Sequence, residues 1–218
     1  MKKELAFIFD LDGVIVDTAI YHYKAWQSIA KELGFDFTLE QNESLKGVSR
    51  MESLDRLLDF GAVSGLSNIE KIDLANRKNK LYREYILKLT PEAILPGVDS
   101  FLKKLVDQKF KIALGSASKN ALTILSQIGY QDLFDSVIDG NKVSNSKPDP
   151  EVFLKAAEEV GVKPENSIVF EDAVAGITAA KSAKMRAIGV GDRKTLKEAD
   201  LVIKSFENIE VSDCLNLL

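Results

Sequence analysis

Apolar positions run unbroken from Leu5 to Phe9 and stop abruptly at Asp10-Leu11-Asp12-Gly13. A run this short, rich in aromatic and branched residues, reads as a strand buried on both faces, as in a parallel sheet covered by helices. Val14-Ile15-Val16 then leads to Asp17-Thr18, a helix cap by residue type. Beyond the cap, Ala19, Tyr23, Trp26, Ile29, Ala30 and Leu33 recur at helical spacing up to a stop at Gly34. Two more helical patterns precede Pro91. One carries Met51, Leu54, Leu57 and Leu58; the other carries Ile69, Ile72, Ala75, Tyr82, Tyr85 and Leu89. No strand pattern interrupts them. From Leu95-Pro96-Gly97 onward helix and strand alternate, with strands predicted at 111–115, 136–139, 167–170 and 187–190 and a last edge strand at 201–203. Such alternation demands right-handed crossovers and a mainly parallel sheet. The fold class is therefore α/β: a Rossmann-like parallel sheet core, residues 1–15 and 90–218, with an all-helical cap domain, 16–89, inserted above the carboxyl edge of the sheet.

Composition narrows this picture only a little. Among 218 residues, 45% are hydrophobic and 28% charged, as in an ordinary globular protein. A net charge of -4 argues against broad nucleic-acid binding, and an anionic ligand would need local positive partners. The single cysteine, Cys214, permits no internal disulfide and no cysteine metal site, which fits a reducing compartment. Met1-Lys2-Lys3 ahead of an apolar run mimics a signal peptide, but Asp10 and Asp12 break the run early. No apolar stretch approaches the roughly 20 residues of a membrane span. The expectation is a soluble cytoplasmic protein with no membrane or nucleic-acid partner.

Chemistry gathers where strands end. Asp10 and Asp12 are alternate residues that project to one side if the extended backbone continues, and two carboxylates there call for a hard cation such as Mg²⁺. Ser116-Ala117-Ser118-Lys119-Asn120 follows the second strand at a helix start, where hydroxyls and free backbone N–H groups can hold an anion. Ser146-Lys147-Pro148 follows the third, its proline biasing Lys147 toward an extended backbone. Glu171-Asp172 follows the fourth. Each has an ordinary alternative: an acidic turn, a serine cap, an exposed lysine, helix-start acids. Together they supply the nucleophile, cation ligands, positive groups and acid/base that phosphoryl transfer needs.

Phe9-Asp10-Leu11-Asp12-Gly13-Val14, with Ser116, Lys147 and Glu171-Asp172, resembles the haloacid dehalogenase superfamily over essentially the whole chain. Asp17-Thr18 with His22 and Ala25-Trp26, Lys46-Gly47-Val48-Ser49-Arg50 and Arg77-Lys78-Asn79 direct the likeness to its sugar phosphomutases. The resemblance implies Asp10 as nucleophile, Asp12 as general acid/base, and Mg²⁺ positioned by Asp10, the Asp12 main-chain carbonyl, Glu171 and Asp172. It further implies that Ser116 and Lys147 hold the transferring phosphate, and that Thr18, His22 and Lys78 form a hinge network aligning Asp12. Trp26, Gly47, Val48, Ser49, Arg50, Ser53, Lys78, Ala117, Ser118, Lys119 and Asn120 are the expected substrate contacts, with Arg50 offered to a second phosphate. On the residues alone, His22 reads as a structural histidine beside an apolar stripe, and 76–80 as a solvated basic face apart from Lys78. The implied partners are small sugar phosphates (glucose 1-phosphate, glucose 1,6-bisphosphate and glucose 6-phosphate) acting on a monomer. A sugar-phosphate or phosphoglycolate phosphatase, and a phosphate-binding module without catalysis, remain as alternatives.

Overall fold

Strand β1 (Ala6–Phe9) is buried at all four positions because it lies inside a six-stranded parallel sheet. The other strands are β2 (Lys111–Gly115), β3 (Ser136–Ile138), β4 (Ser167–Glu171), β5 (Arg186–Val190) and β6 (Leu201–Ile203), in the order β3-β2-β1-β4-β5-β6. These come from a computed structural model that describes residues 4–218; Met1-Lys2-Lys3, where the predicted core and the signal-like segment begin, lie outside the described residues. Phe9 pairs with Leu114 on one side and Phe170 on the other. The chain steps outward from β1 in both directions, so the carboxyl ends of β1 and β4 flank a topological switch point, where open α/β sheets bind ligands.

Alternation along β1 builds two cores. Phe7 and Phe9 face Phe101, Phe170 and Phe206, with Phe9 and Phe170 stacked at 4.7 Å, while Ala6 and Ile8 face Phe153 and Val169. Helices α1 (Ala19–Glu32), α2 (Leu39–Glu43), α3 (Arg50–Phe60) and α4 (Asn68–Ile86) follow β1 and carry a third cluster around Trp26, Ile29, Leu54, Leu57 and Leu74. The sheet is flanked by α5 (Val98–Asp107), α6 (Ala121–Gln127), α7 (Glu151–Glu159), α8 (Val174–Ser182) and α9 (Val211–Leu215). Short α2 and α9 carry too few apolar positions to show a period.

Two helical expectations need correction. On α4 the buried face is Leu74, Ala75, Lys78, Tyr82 and Ile86, whereas Ile69 and Ile72 are 80% and 52% exposed. Polar residues at 76–80 interrupt the stripe after Ala75, so spacing from Ile69 set the wrong rotation. Thr18 precedes α1, but its side chain makes no capping bond; the hydroxyl is spent elsewhere. Gly115 leaves room for Phe153: a Cβ there would lie 2.8 Å from its ring.

Candidate active site

Asp10 leaves the end of β1 with its N–H donated to Phe170 O at 2.9 Å and only 5% of its surface exposed. Lys147, 1% exposed, donates from Nζ to Asp10 Oδ1 at 2.5 Å and to Glu171 Oε2 at 2.7 Å, over the ring of Phe153. The second Glu171 oxygen accepts the Ala173 N–H at 3.0 Å. One ammonium thus serves two buried carboxylates. Burial outweighs it, pushing Asp10 up to about 8 and Glu171 upward too; in turn the two acids, against the effect of burial, hold the Lys147 proton more tightly than usual.

Two glycines make space for these acids. A Cβ on Gly176 would fall 2.0 Å from the Glu171 carboxyl carbon, and one on Gly13, at φ +85°, would fall 2.3 Å from Asp172 Oδ2. Asp172 meets Lys46 Nζ at 3.3 Å, and burial raises its pKa to about 6 against the pull of that lysine. Asp10, Glu171 and Asp172 each offer an oxygen within 4.8 Å of the others. Three hard oxygen donors carrying more negative charge than Lys147 neutralises suit a divalent cation. The Asp12 carboxylate is not part of this group.

Asp12 instead faces the helices. Thr18 donates to its Oδ1, Tyr82 donates to the same oxygen at 3.3 Å, and His22 Nε2 stands 3.8 Å away. Burial raises the Asp12 pKa, and the Thr18 and Tyr82 bonds oppose the rise. His22 Nδ1 lies 2.9 Å from Lys78 Nζ, which sits over the rings of Trp26 and Tyr82. Burial, then the Arg50 charge, lowers Lys78 to about 7; burial and Lys78 push His22 well below its ordinary value.

Around these groups lies a cavity of about 270 Å³. Among the expected residues, Asp10, Asp12, His22, Trp26, Gly47, Val48, Ser49, Arg50, Ser53, Lys78, Ser116, Ala117, Ser118, Lys119, Asn120 and Asp172 line it. Thr18, Lys147 and Glu171 do not; they stand behind the lining and hold Asp12 and Asp10 in place. Among the described residues Arg50 pairs with no carboxylate, so its half-buried guanidinium is available to an anion. Ser49 Oγ caps α3 by accepting the Glu52 N–H.

The loop after β2 departs from expectation in one respect. The Ser118 and Asn120 N–H groups are not free: they donate to Ser116 Oγ and Ser118 Oγ at 3.1 and 3.2 Å. Serine side chains compete with a ligand for such donors. Of 76–80, Asn76, Arg77 and Lys80 are exposed as read, with Arg77 on Glu32 and Asp73. Asn79, however, accepts from Asn120 Nδ2 at 2.9 Å and lines the cavity. Sequence reasoning placed Tyr82 only in an apolar stripe, left Asn79 on a solvated face and gave Lys46 no role in the site. Tyr82 follows Lys78 by one helical turn, a spacing that could have flagged it.

Comparison with known proteins agrees with this geometry. The profile of the haloacid dehalogenase-like hydrolases matches residues 7–190. A β-phosphoglucomutase of Bacillus subtilis (strain 168) is 45% identical over 94% of this chain and 91% of its own. A phosphorylated carbohydrates phosphatase of Thermotoga maritima is 33% identical over 90% of this chain and 92% of its own. The crystal structure of a β-phosphoglucomutase from Clostridium difficile superposes with a TM-score of 0.93 at 47% identity, covering 98% of this chain and 96% of that one.

Proposed function

The chain belongs to the haloacid dehalogenase-like hydrolase family, and from that membership we propose that it interconverts β-glucose 1-phosphate and glucose 6-phosphate through a phosphorylated Asp10. The observation that carries this reading is the pairing of Asp10, held by Lys147, with an Asp12 turned toward Thr18, Tyr82 and His22 in one cavity. A binding module would need neither a nucleophile nor an acid so arranged. High identity to a β-phosphoglucomutase along nearly the whole chain supports the mutase over the phosphatase.

Phosphorylated Asp10 gives its phosphoryl to the 6-hydroxyl of β-glucose 1-phosphate while Asp12 accepts the hydroxyl proton. The 1,6-bisphosphate turns over in the cavity, Asp10 attacks the 1-phosphorus, and Asp12 returns the proton to the leaving sugar oxygen. Burial suits Asp12 to this alternation by favouring its protonated form. Ser116 borders the transferring phosphoryl, Lys147 bears on it from behind through Asp10, and Arg50, with Lys119 and Asn120, takes the other phosphate. Asp10, Glu171 and Asp172, with the Asp12 carbonyl, would hold a divalent cation that we assign as Mg²⁺; when bound it shields Asp10 from the incoming phosphate's charge. Residues 16–89 act as a cap over the sheet edge, and water exclusion beneath it protects the acyl phosphate. We take the protein to work as a monomer in the cytoplasm, a location that accords with sugar-phosphate substrates.

Phosphorus NMR of the protein with Mg²⁺, β-glucose 1-phosphate and a trace of the 1,6-bisphosphate tests this. Glucose 6-phosphate as the main product is expected. Inorganic phosphate as the main product would instead support a phosphatase, and no turnover a binding module.

A further inference from the structure

Beyond β3 the chain makes a turn, Asp139-Gly140-Asn141, that the reaction above does not use. Asp139 is a buried carboxylate, 3% exposed, with no lysine or arginine partner among the described residues. Both its oxygens are spent on Asn141: Oδ1 accepts the Asn141 N–H at 2.9 Å and Oδ2 accepts Asn141 Nδ2 at 3.0 Å. The same Nδ2 donates to Lys119 O at 3.1 Å, and the Gly140 N–H donates to Ser118 O at 3.2 Å. Gly140 is pressed so close that a Cβ would fall 2.4 Å from Ala117 O. Three consecutive carbonyls of the substrate-facing loop, at 117, 118 and 119, are therefore in contact with this turn.

A buried, ion-unpaired carboxylate is retained at a cost, and its only evident work is to fix the orientation of one amide. That amide sets the path of the backbone carrying Ala117, Lys119 and Asn120. From this geometry we infer that Asn141, oriented by Asp139, is a positioning residue that presets the 117–120 loop for the sugar phosphate before it binds. It acts through Lys119 and does not touch the reacting atoms. Preset donors lower the ordering cost of binding, so loss of the clamp weakens substrate affinity and leaves the transfer step largely intact.

The inference rests on the phosphomutase reading for the identity of the substrate, and the test separates the two. The dissociation constant of glucose 6-phosphate is measured in the presence of Mg²⁺ through fluorescence of the single tryptophan, Trp26, alongside KM and kcat for β-glucose 1-phosphate. Asn141→Ala and the milder Asn141→Ser, whose hydroxyl is too short to reach Lys119 O, are each expected to raise both Kd and KM roughly ten-fold, with kcat within about two-fold of wild type. Lys142→Ala, the next residue, with an exposed side chain, is expected to change neither. Unchanged Kd and KM in the Asn141 variants, an equal shift in Lys142→Ala, or failure of both Asn141 variants to fold would overturn the inference. So would a wild-type protein that binds no glucose 6-phosphate. A wild-type protein that binds the sugar phosphate without converting glucose 1-phosphate, together with a weakened Asn141→Ala, would refute the proposed reaction and uphold the positioning role.

Discussion

Lys147 is one positive charge set between Asp10 and Glu171, and its burial at 1% exposure makes the arrangement depend on all three groups. A neutral residue there would strand two buried carboxylates, the kind of loss that is worth several kcal/mol. Asp10 itself differs, since its amide isostere can keep the contact to Lys147. Asp10→Asn is therefore expected to abolish product formation by phosphorus NMR while the thermal unfolding curve persists. Arg50 offers the complementary case: a cation with no carboxylate partner among the described residues, facing the cavity. Losing a charge-assisted contact of about 1.5–3 kcal/mol, Arg50→Ala should raise KM for the 1,6-bisphosphate by roughly ten-fold or more. Steady-state kinetics against that substrate provides the check. At this scale the sequence was readable where chemistry sits next to a strand end, as at Asp10, Asp12, Lys147 and Glu171. Periodicity read Thr18 as a helix cap, and only the family resemblance tied it to Asp12, because a cap and a distant acceptor ask for the same residue type.

Helices contribute through single turns placed against the site. α8 begins just beyond Glu171, and its Gly176 leaves the volume that the carboxyl occupies. In most helices Gly→Ala stabilises by about 1 kcal/mol. Here the sign should invert: Gly176→Ala is expected to destabilise by about 1–3 kcal/mol through overpacking and to weaken Mg²⁺ binding, read by urea unfolding and metal titration. At the start of α7, Glu151 accepts the Ser144 and Asn145 N–H groups and pairs with Lys155, fastening the segment that delivers Lys147. Lys155, then those N–H groups, hold the Glu151 pKa down to about 2. A carboxylate depressed from 4.5 stabilises fully above that pH, and the contribution fades as pH falls toward 2. Glu151→Gln should therefore show a flatter loss of urea midpoint between pH 5 and 2 than wild type. Helical periodicity revealed that α4 exists, yet Ile69 and Ile72 point outward and Lys78 and Tyr82 inward. Tertiary contact with α1 and α3, not the apolar count, chose the buried face.

Across the whole molecule the site is a seam. Acids come from the sheet edge, while Arg50 comes from α3, Lys78, Asn79 and Tyr82 from α4, and Lys46 from the turn between α2 and α3. Lys46 to Asp172, Tyr82 to Asp12 and Asn79 to Asn120 bridge the two. A cation bound by Asp10, Glu171 and Asp172 would tighten this seam as well as enable transfer. Removing divalent metal with EDTA should abolish turnover, and Mg²⁺ at about 100 times its Kd should restore it and raise Tm by about 5–10 °C, as followed by differential scanning calorimetry. Among the described residues no helix is long and apolar enough to cross a membrane. The α/β alternation, the parallel sheet and the family were all legible in the chain itself, because strand and helix periods are local and the strand-end acids stand beside the apolar runs that place them. Only the tertiary structure decided that Tyr82 meets Asp12, that Asn79 reaches Asn120, and that Asp139 and Asn141 clamp Lys119. Those contacts join elements up to seventy residues apart, and they depend on how each helix is rotated and docked, which no local pattern of residues encodes.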